Sequence, residues 1–168
     1  EQATVCSIAN LDVVDESTQD STSAANGGLQ VMIRRIDKSE GNPRILLIDD
    51  DAHVLEFLVQ ALAWDQGYKV EAALDGIEGM IKVGEFKPHL LVLDVRLPGG
   101  LKGQDVCKKV KATRSTSAIK ILAISADLSS REQILRAGAD SFLPKPFTVS
   151  TLRAEVTHLL NPHAQAPP

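Results

Sequence analysis

The polar residues best suited to chemistry are an aspartate triplet, a lone aspartate, a serine and a lysine, namely Asp49, Asp50, Asp51, Asp94, Ser125 and Lys145. The acids and the serine directly follow short apolar runs at residues 45–48, 90–93 and 121–124. Continuous apolar runs of this length are typical of parallel strands that are buried on both faces. Because the carboxyl ends of parallel strands meet at one edge of an open sheet, we expect these side chains to share a crevice. Carboxylates, a hydroxyl and an ammonium in one crevice suit a metal ion together with a phosphoryl group.

Composition restricts the class of protein. The chain has 168 residues and 43% hydrophobic residues, enough for one ordinary domain with additional sequence. Its net charge of −4 does not indicate binding to nucleic acid or to a membrane. We find neither an apolar stretch of membrane-spanning length nor a secretory signal in the sequence. The two cysteines, Cys6 and Cys107, form no disulfide framework or metal motif. We therefore expect a cytoplasmic protein with free thiols.

A group of five basic residues lies near the third predicted helix. Its members are Lys108, Lys109, Lys111, Arg114 and Lys120. Nucleic-acid binding would need a larger basic patch or a recognised reading motif, so we interpret the group as a solvated helix face.

The chain divides into three parts by composition. Residues 1–43 carry seven acids and three bases and include the linker-like segment 20–28, so we interpret them as a partly disordered linker or the remnant of an upstream region. Residues 44–160 form the predicted domain. The Pro- and Ala-rich residues 161–168 are predicted to be a disordered tail.

Strands and helices alternate regularly within the predicted domain. The predicted strands are 45–48, 68–72, 90–93, 119–124 and 141–143, and the predicted helices begin near Asp51, Asp75, Val106, Arg131 and Thr148. Repeated βα units require a parallel sheet with helices on both faces. We therefore predict a doubly wound five-stranded α/β fold with the flavodoxin-like strand order 2-1-3-4-5.

Four short segments carry a more specific pattern. They are Ile48–Asp51 after the first strand, Leu93–Gly99 after the third, Ile124–Ala126 after the fourth, and Gly138–Phe147 around the fifth. In this order they resemble the receiver domain of bacterial two-component response regulators. The resemblance covers residues 44–160 and does not extend to residues 1–43.

The resemblance implies a role for each polar residue at the sheet edge. Asp94 would accept a phosphoryl group, and a carboxylate is a suitable nucleophile for forming an acyl phosphate. Mg²⁺ (or Mn²⁺) would be held by Asp49, Asp50, Asp94 and the backbone carbonyl of Arg96. Asp51 is interpreted as a helix N-cap rather than a metal ligand.

Three further residues would complete the switch by the same resemblance. Lys145, in a cis Lys-Pro dipeptide, would pair with one phosphoryl oxygen, and the hydroxyl of Ser125 would donate to another. Phe142 stands at the switch-aromatic position and would turn into the space that Ser125 leaves. Phosphorylation would thereby alter the face formed by helix 4, strand 5 and helix 5.

The implied partners are a sensor histidine kinase or phosphotransfer protein and a downstream effector or output domain, and a homodimer through the same face is left open. The chain would not be an enzyme beyond self-catalysed phosphoryl uptake and slow autodephosphorylation.

The alternative is a receiver-fold interaction module that does not switch by phosphorylation. A phosphoaspartate hydrolase would need a second acid where Arg96 stands, and a flavodoxin would need phosphate-cradling residues in place of Asp49–Asp51.

The sequence also departs from the common receiver pattern. Gly103 falls nine positions after Asp94, one more than is usual, and the segment from Ser125 to Lys145 is about two residues short. Arg96 and Asp127 occupy positions that tune hydrolysis in the family. We expect their side chains to pair over the site and hinder water.

Overall fold

The computed structural model describes residues 41–63 and 67–161. The strands are β1 Arg44–Ile48, β2 Lys69–Ala73, β3 Leu90–Asp94, β4 Lys120–Ser125 and β5 Ser141–Pro144. The helices are α1 Ala52–Ala63, α2 Gly76–Phe86, α3 Gly103–Ala112, α4 Arg131–Arg136 and α5 Val149–Leu160, with a 3₁₀ turn at Leu128–Ser130 before α4. The predictions for residues 1–40 and 162–168, including Cys6, lie outside the described residues. In the part that is described, no helix is long and apolar enough to cross a bilayer.

The five strands form one parallel sheet in the order β2-β1-β3-β4-β5, which confirms the predicted fold. In the register of the sheet, Asp94 lies opposite Ile124, and Ser125 lies opposite Pro144. The strands therefore end at nearly the same level. The residues that follow them must emerge at one common edge.

The apolar strands are explained by two separate cores, one on each face of the sheet. The face covered by α2, α3 and α4 includes Leu46, Ile48, Leu91, Leu93, Val106 and Ile134. The face covered by α1 and α5 includes Ile45, Leu47, Leu90, Val92, Leu58 and Leu152. Successive strand residues point to opposite faces, and both faces are buried, so β1 and β3 need apolar residues at every position.

Side-chain caps fix where two of the helices begin. The Asp75 carboxylate accepts hydrogen bonds from two amides in the first turn of α2, and the Thr148 hydroxyl accepts one from Thr151 N at 3.1 Å. Asp75 and Glu78 have the spacing of a capping box, and the structure differs from a reciprocal box in one contact. Glu78 Oε2 accepts from Leu74 N at 3.0 Å, one residue before the cap.

Candidate functional site

Lys145 joins two buried carboxylates at the carboxyl edge of the sheet. Its Nζ donates hydrogen bonds to Asp49 Oδ2 at 2.8 Å and to Asp94 Oδ1 at 3.0 Å. Asp49 follows β1, Asp94 ends β3 and Lys145 follows β5, so residues distant in sequence meet where the strands end. Lys145 N also donates to the carbonyl of Ser125 at 2.9 Å, and the Lys145–Pro146 bond is cis.

Burial sets the electrostatics of this group. Asp49 is 3% exposed and Asp94 is 6% exposed. Burial raises the pKa of Asp94 and nearby Asp49 adds to the rise, and together they outweigh the opposing hydrogen bond from Lys145. Burial alone would lower the pKa of Lys145, but its hydrogen bonds with Asp49 and Asp94 raise it overall. The ammonium therefore stays charged and offsets part of the repulsion between the carboxylates.

The remaining carboxylate oxygens are held by backbone amides. Asp94 Oδ2 accepts from Arg96 N at 2.8 Å, and Asp49 Oδ1 accepts from Asp51 N at 3.0 Å. Asp51 Oδ1 in turn accepts from His53 N at 2.9 Å, so its side chain caps α1, as its position predicts. The two buried acids are thus fixed in orientation before any ligand arrives.

The acids at this edge include candidate ligands for the divalent cation that the resemblance implies. Asp50, beside Asp49, is exposed to solvent. As their side chains stand, no three Asp, Glu, His or Cys residues of the described chain are grouped closely enough to hold a metal ion. The donor chemistry nevertheless fits, because carboxylate and carbonyl oxygens are the ligands of Mg²⁺ and Lys145 offsets only one of the two buried negative charges. Coordination by Asp49, Asp50, Asp94 and the carbonyl of Arg96 stays a prediction.

Ser125 and Asp127 lie at the end of β4, the strand next to β3. Ser125 ends β4 with 1% exposure, and its Oγ accepts a hydrogen bond from Asp127 N at 3.1 Å. Arg96 Nη2 donates to Asp127 Oδ2 at 2.9 Å, which confirms the predicted pair. Hydrogen bonds from Ser129 and then from Arg96 lower the pKa of Asp127 to about 2.

Phe142 lies in the middle of β5, beside Ala123 of β4. Its ring is half-buried and packs against the core under α2–α4. The residue is therefore close to the strand that carries Ser125, as its proposed switch role requires. The movement of the ring stays a prediction.

Two features of the site were not found from the sequence. Ser129 donates both its amide and its hydroxyl to Asp127 Oδ1, at 3.0 and 2.6 Å. A Cβ on Gly103 would lie 2.5 Å from the carbonyl oxygen of Asp94 and 2.8 Å from Val95 Cα, so only glycine fits there. The receiver pattern drew attention to the spacing of Gly103 from Asp94, but the steric need for a glycine is visible only when α3 lies against the backbone after Asp94.

The known proteins that resemble this chain match the region that forms the sheet and the site. The response regulator receiver domain family matches residues 45–157. The response regulator MprA of Mycobacterium leprae is 42% identical over 117 residues, which are 70% of this chain and 50% of that relative. MprA of Mycobacterium avium is 41% identical over the same length. The chain therefore spans about half the length of the curated relatives that it matches.

Solved structures show the same fold. A CheY-like response regulator receiver domain protein from Methanospirillum hungatei is 29% identical with a TM-score of 0.67, covering 73% of this chain and 96% of that one. The chemotaxis protein CheY4 of Vibrio cholerae is 25% identical with a TM-score of 0.66, covering 71% of this chain and 100% of that one. The matched residues carry the sheet, the buried acids and the lysine described above. The chain belongs to the response regulator receiver domain family of two-component systems.

Proposed function

We propose that the chain is a phosphorylation-dependent switch in which Asp94 accepts a phosphoryl group from a histidine kinase or phosphotransfer protein. The observation that carries the proposal is the bridge from Lys145 to both Asp49 and Asp94. It places one ammonium beside the nucleophile and beside a second carboxylate. A structural salt bridge would need only one of the two acids.

In the proposed transfer, an Asp94 oxygen attacks phosphorus and the phosphorus–nitrogen bond of a phosphohistidine breaks. The imidazole leaves with the bonding electron pair and takes up a proton from solvent. Arg96 N holds the other oxygen of Asp94 at 2.8 Å and so orients the carboxylate. A divalent cation, when held by Asp49, Asp50, Asp94 and the Arg96 carbonyl, supplies neutralisation of the phosphoryl charge.

Lys145 and Ser125 then rearrange around the acyl phosphate. The ammonium shifts from the Asp94 carboxylate to a phosphoryl oxygen, which carries more negative charge. The Ser125 oxygen uses a lone pair to accept from Asp127 N, so its own O–H can donate to another phosphoryl oxygen. The movement of Ser125 lets Phe142 turn inward and changes the face of α4, β5 and α5, where an effector, an output domain or a second copy would bind. The chain would act as a switch with slow self-hydrolysis and not as a metabolic enzyme.

The competing function is an interaction module with the same fold that does not switch. The presence of the phosphoacceptor, both other acids, the hydroxyl and the lysine supports the switch.

An intact-mass experiment with acetyl phosphate, with and without Mg²⁺, distinguishes the two functions. The switch predicts a Mg²⁺-dependent gain of one phosphoryl group in the wild type and in Asp75→Asn, a helix-cap control, and none in Asp94→Asn. Equal mass with and without acetyl phosphate in the wild type would favour the module.

A further inference from the structure

A cavity of about 450 Å³ lies at the amino edge of the sheet, at the end of the fold opposite Asp94. The last turns of α2 and α5 and the residues leading into β3 and β4 enclose it. Because α2 and α5 cover opposite faces of the sheet, this amino-edge cavity wraps around the edge between the two helical layers. Its volume falls within the range of small-molecule sites, about 300–1,000 Å³.

The floor of the amino-edge cavity is aliphatic. It is formed by Val83, Pro88, Ile119, Leu159 and Leu160. Within the described residues, the lining holds no Phe, Tyr or Trp, so the floor offers no large aromatic face for a nucleobase. The one ring in the lining is the half-buried imidazole of His89, whose Nδ1 accepts a hydrogen bond from Arg44 N at 3.0 Å. Such a surface favours a flexible hydrocarbon body, which gains from burial alone.

The rim of the cavity is cationic. Lys87 and Lys120 line it, and no acidic side chain of the described chain does. Lys120 is already paired with Asp140 at 3.1 Å. The Lys87 side chain is exposed and has no ion-pair partner within residues 41–63 and 67–161. The Lys87 backbone is anchored, because Arg44 Nε donates a hydrogen bond to the Lys87 carbonyl at 2.9 Å. An anchored lysine with an uncommitted ammonium suits a single carboxylate, because it acts as a point charge without the fork of an arginine.

Hydroxyl groups complete the rim beside the lysines. Thr116 Oγ1 donates to the Val110 carbonyl at 2.8 Å and fixes the loop between α3 and β4. Ser115, the preceding residue, is exposed and lines the same cavity. The fixed loop therefore presents the Ser115 hydroxyl as a second donor for an anionic head group.

We propose that the amino-edge cavity binds an aliphatic monocarboxylate of medium chain length, with its hydrocarbon chain on the apolar floor and its carboxylate beside Lys87. The proposal is separate from phosphoryl transfer at Asp94 and stands or falls independently of it. It predicts a ligand with one negative charge and a flexible hydrocarbon body.

The test is a titration of the ¹⁵N-labelled chain with decanoate, followed by two-dimensional amide spectra, with 1-decanol as the uncharged counterpart. We expect saturable shifts at Val83, Ile119 and Leu159 and no comparable shifts at Asp49 or Asp94. Decanol should bind about two- to fivefold more weakly, the size of an exposed charge contribution.

Two variants test the contributions of the floor and of the rim to binding separately. Gly84 lines the cavity, and a Cβ built there meets nothing within 4 Å, so Gly84→Leu can occupy the space without disturbing α2. It should weaken decanoate binding at least about tenfold. Lys87→Gln should weaken decanoate about two- to fivefold and leave decanol unchanged, whereas Lys69→Gln, an exposed lysine on β2, should change neither.

Three results would overturn the proposal. One is the absence of saturable shifts at millimolar decanoate in a chain that still gives folded spectra. Another is equal affinity of the Gly84→Leu variant and the wild type. The third is the appearance of the same shifts when the protein concentration alone is raised, which would show that a second copy fills the cavity.

Discussion

Arg96 Nη2 donates to Asp127 Oδ2 at 2.9 Å, and this ion pair ties the loop after Asp94, the proposed phosphoacceptor, to the loop after Ser125. The Arg96 side chain is 69% exposed and that of Asp127 is 30% exposed, so the pair adds little to stability. The ion pair lies between the loop after Asp94 and the loop after Ser125. We infer that it limits the access of water to a phosphoryl group on Asp94.

The first prediction concerns the lifetime of the phosphorylated state. Arg96→Ala and Asp127→Ala should each speed hydrolysis by about two- to tenfold, which corresponds to an activation free energy lower by about 0.4–1.4 kcal/mol. The double variant should be no faster than the faster single variant, because either change opens the same barrier. Loss of the phosphorylated mass over time measures the rates. Additive effects, or a double variant with the lifetime of the wild type, would refute a shared barrier.

The second prediction concerns the metal. Mg²⁺ should raise the unfolding temperature of the wild type, because a ligand that binds only the folded state stabilises it by mass action. Asp50→Asn should weaken Mg²⁺ at least about tenfold in a calorimetric titration. Asp51→Asn is the matched control, since Asp51 caps α1 and asparagine caps equally well. Equal losses in the two variants would argue against a specific role for Asp50.

The third prediction concerns acid stability and Asp140. Burial alone would raise the pKa of this carboxyl, but hydrogen bonds from Lys111, Ile121 N and Lys120 together lower it. A lowered folded pKa means that the stabilisation is present above the unfolded pKa of about 3.9 and is lost as the pH falls through the folded value. Asp140→Asn should therefore reduce the free energy of unfolding by about 1–3 kcal/mol at pH 7.

Urea unfolding of the wild type and Asp140→Asn at several pH values checks this. The difference between the two curves should shrink as the pH is lowered below about 4. A difference that stays constant down to the lowest pH at which the wild type folds would show that the charge of Asp140 contributes nothing.

The fourth prediction concerns Cys107. Burial raises the pKa of its thiol to about 11, and Sγ lies 3.4 Å from the carbonyl oxygen of Ala137. Because the thiolate is the reactive form, the native Cys6→Ser variant should resist alkylation at pH 8 and react fully once unfolded. Modification of the native variant at the rate of a free thiol would contradict the burial of Cys107.

The fold could be predicted from the sequence because both faces of β1 and β3 are buried, which leaves a continuous apolar signature. The meeting of Asp49, Asp94 and Lys145 followed from the shared edge of parallel strands. The direction of the Asp50 side chain could not be predicted in this way. Asp50 lies beyond the end of β1, where side chains no longer have to alternate between the two faces of the sheet.

Other details depended on contacts that spacing does not encode. Glu78 binds the amide of Leu74 and not that of Asp75, since the local path of the chain before α2 decides which amide it reaches. Gly103 is required by the close approach of α3 to the backbone after Asp94, and such a requirement appears only when the two elements are in place.

We propose that Asp94, held by Lys145, is the residue that receives the phosphoryl group. Borohydride reduction of the chain after treatment with acetyl phosphate and Mg²⁺, followed by peptide mass mapping, tests it at residue level, because an acyl phosphate is reduced to homoserine. We expect homoserine at position 94 and nowhere else, with a much lower yield in Lys145→Ala. Homoserine at Asp49 or Asp50, or an unchanged yield without Lys145, would rule out this role of Asp94 and Lys145.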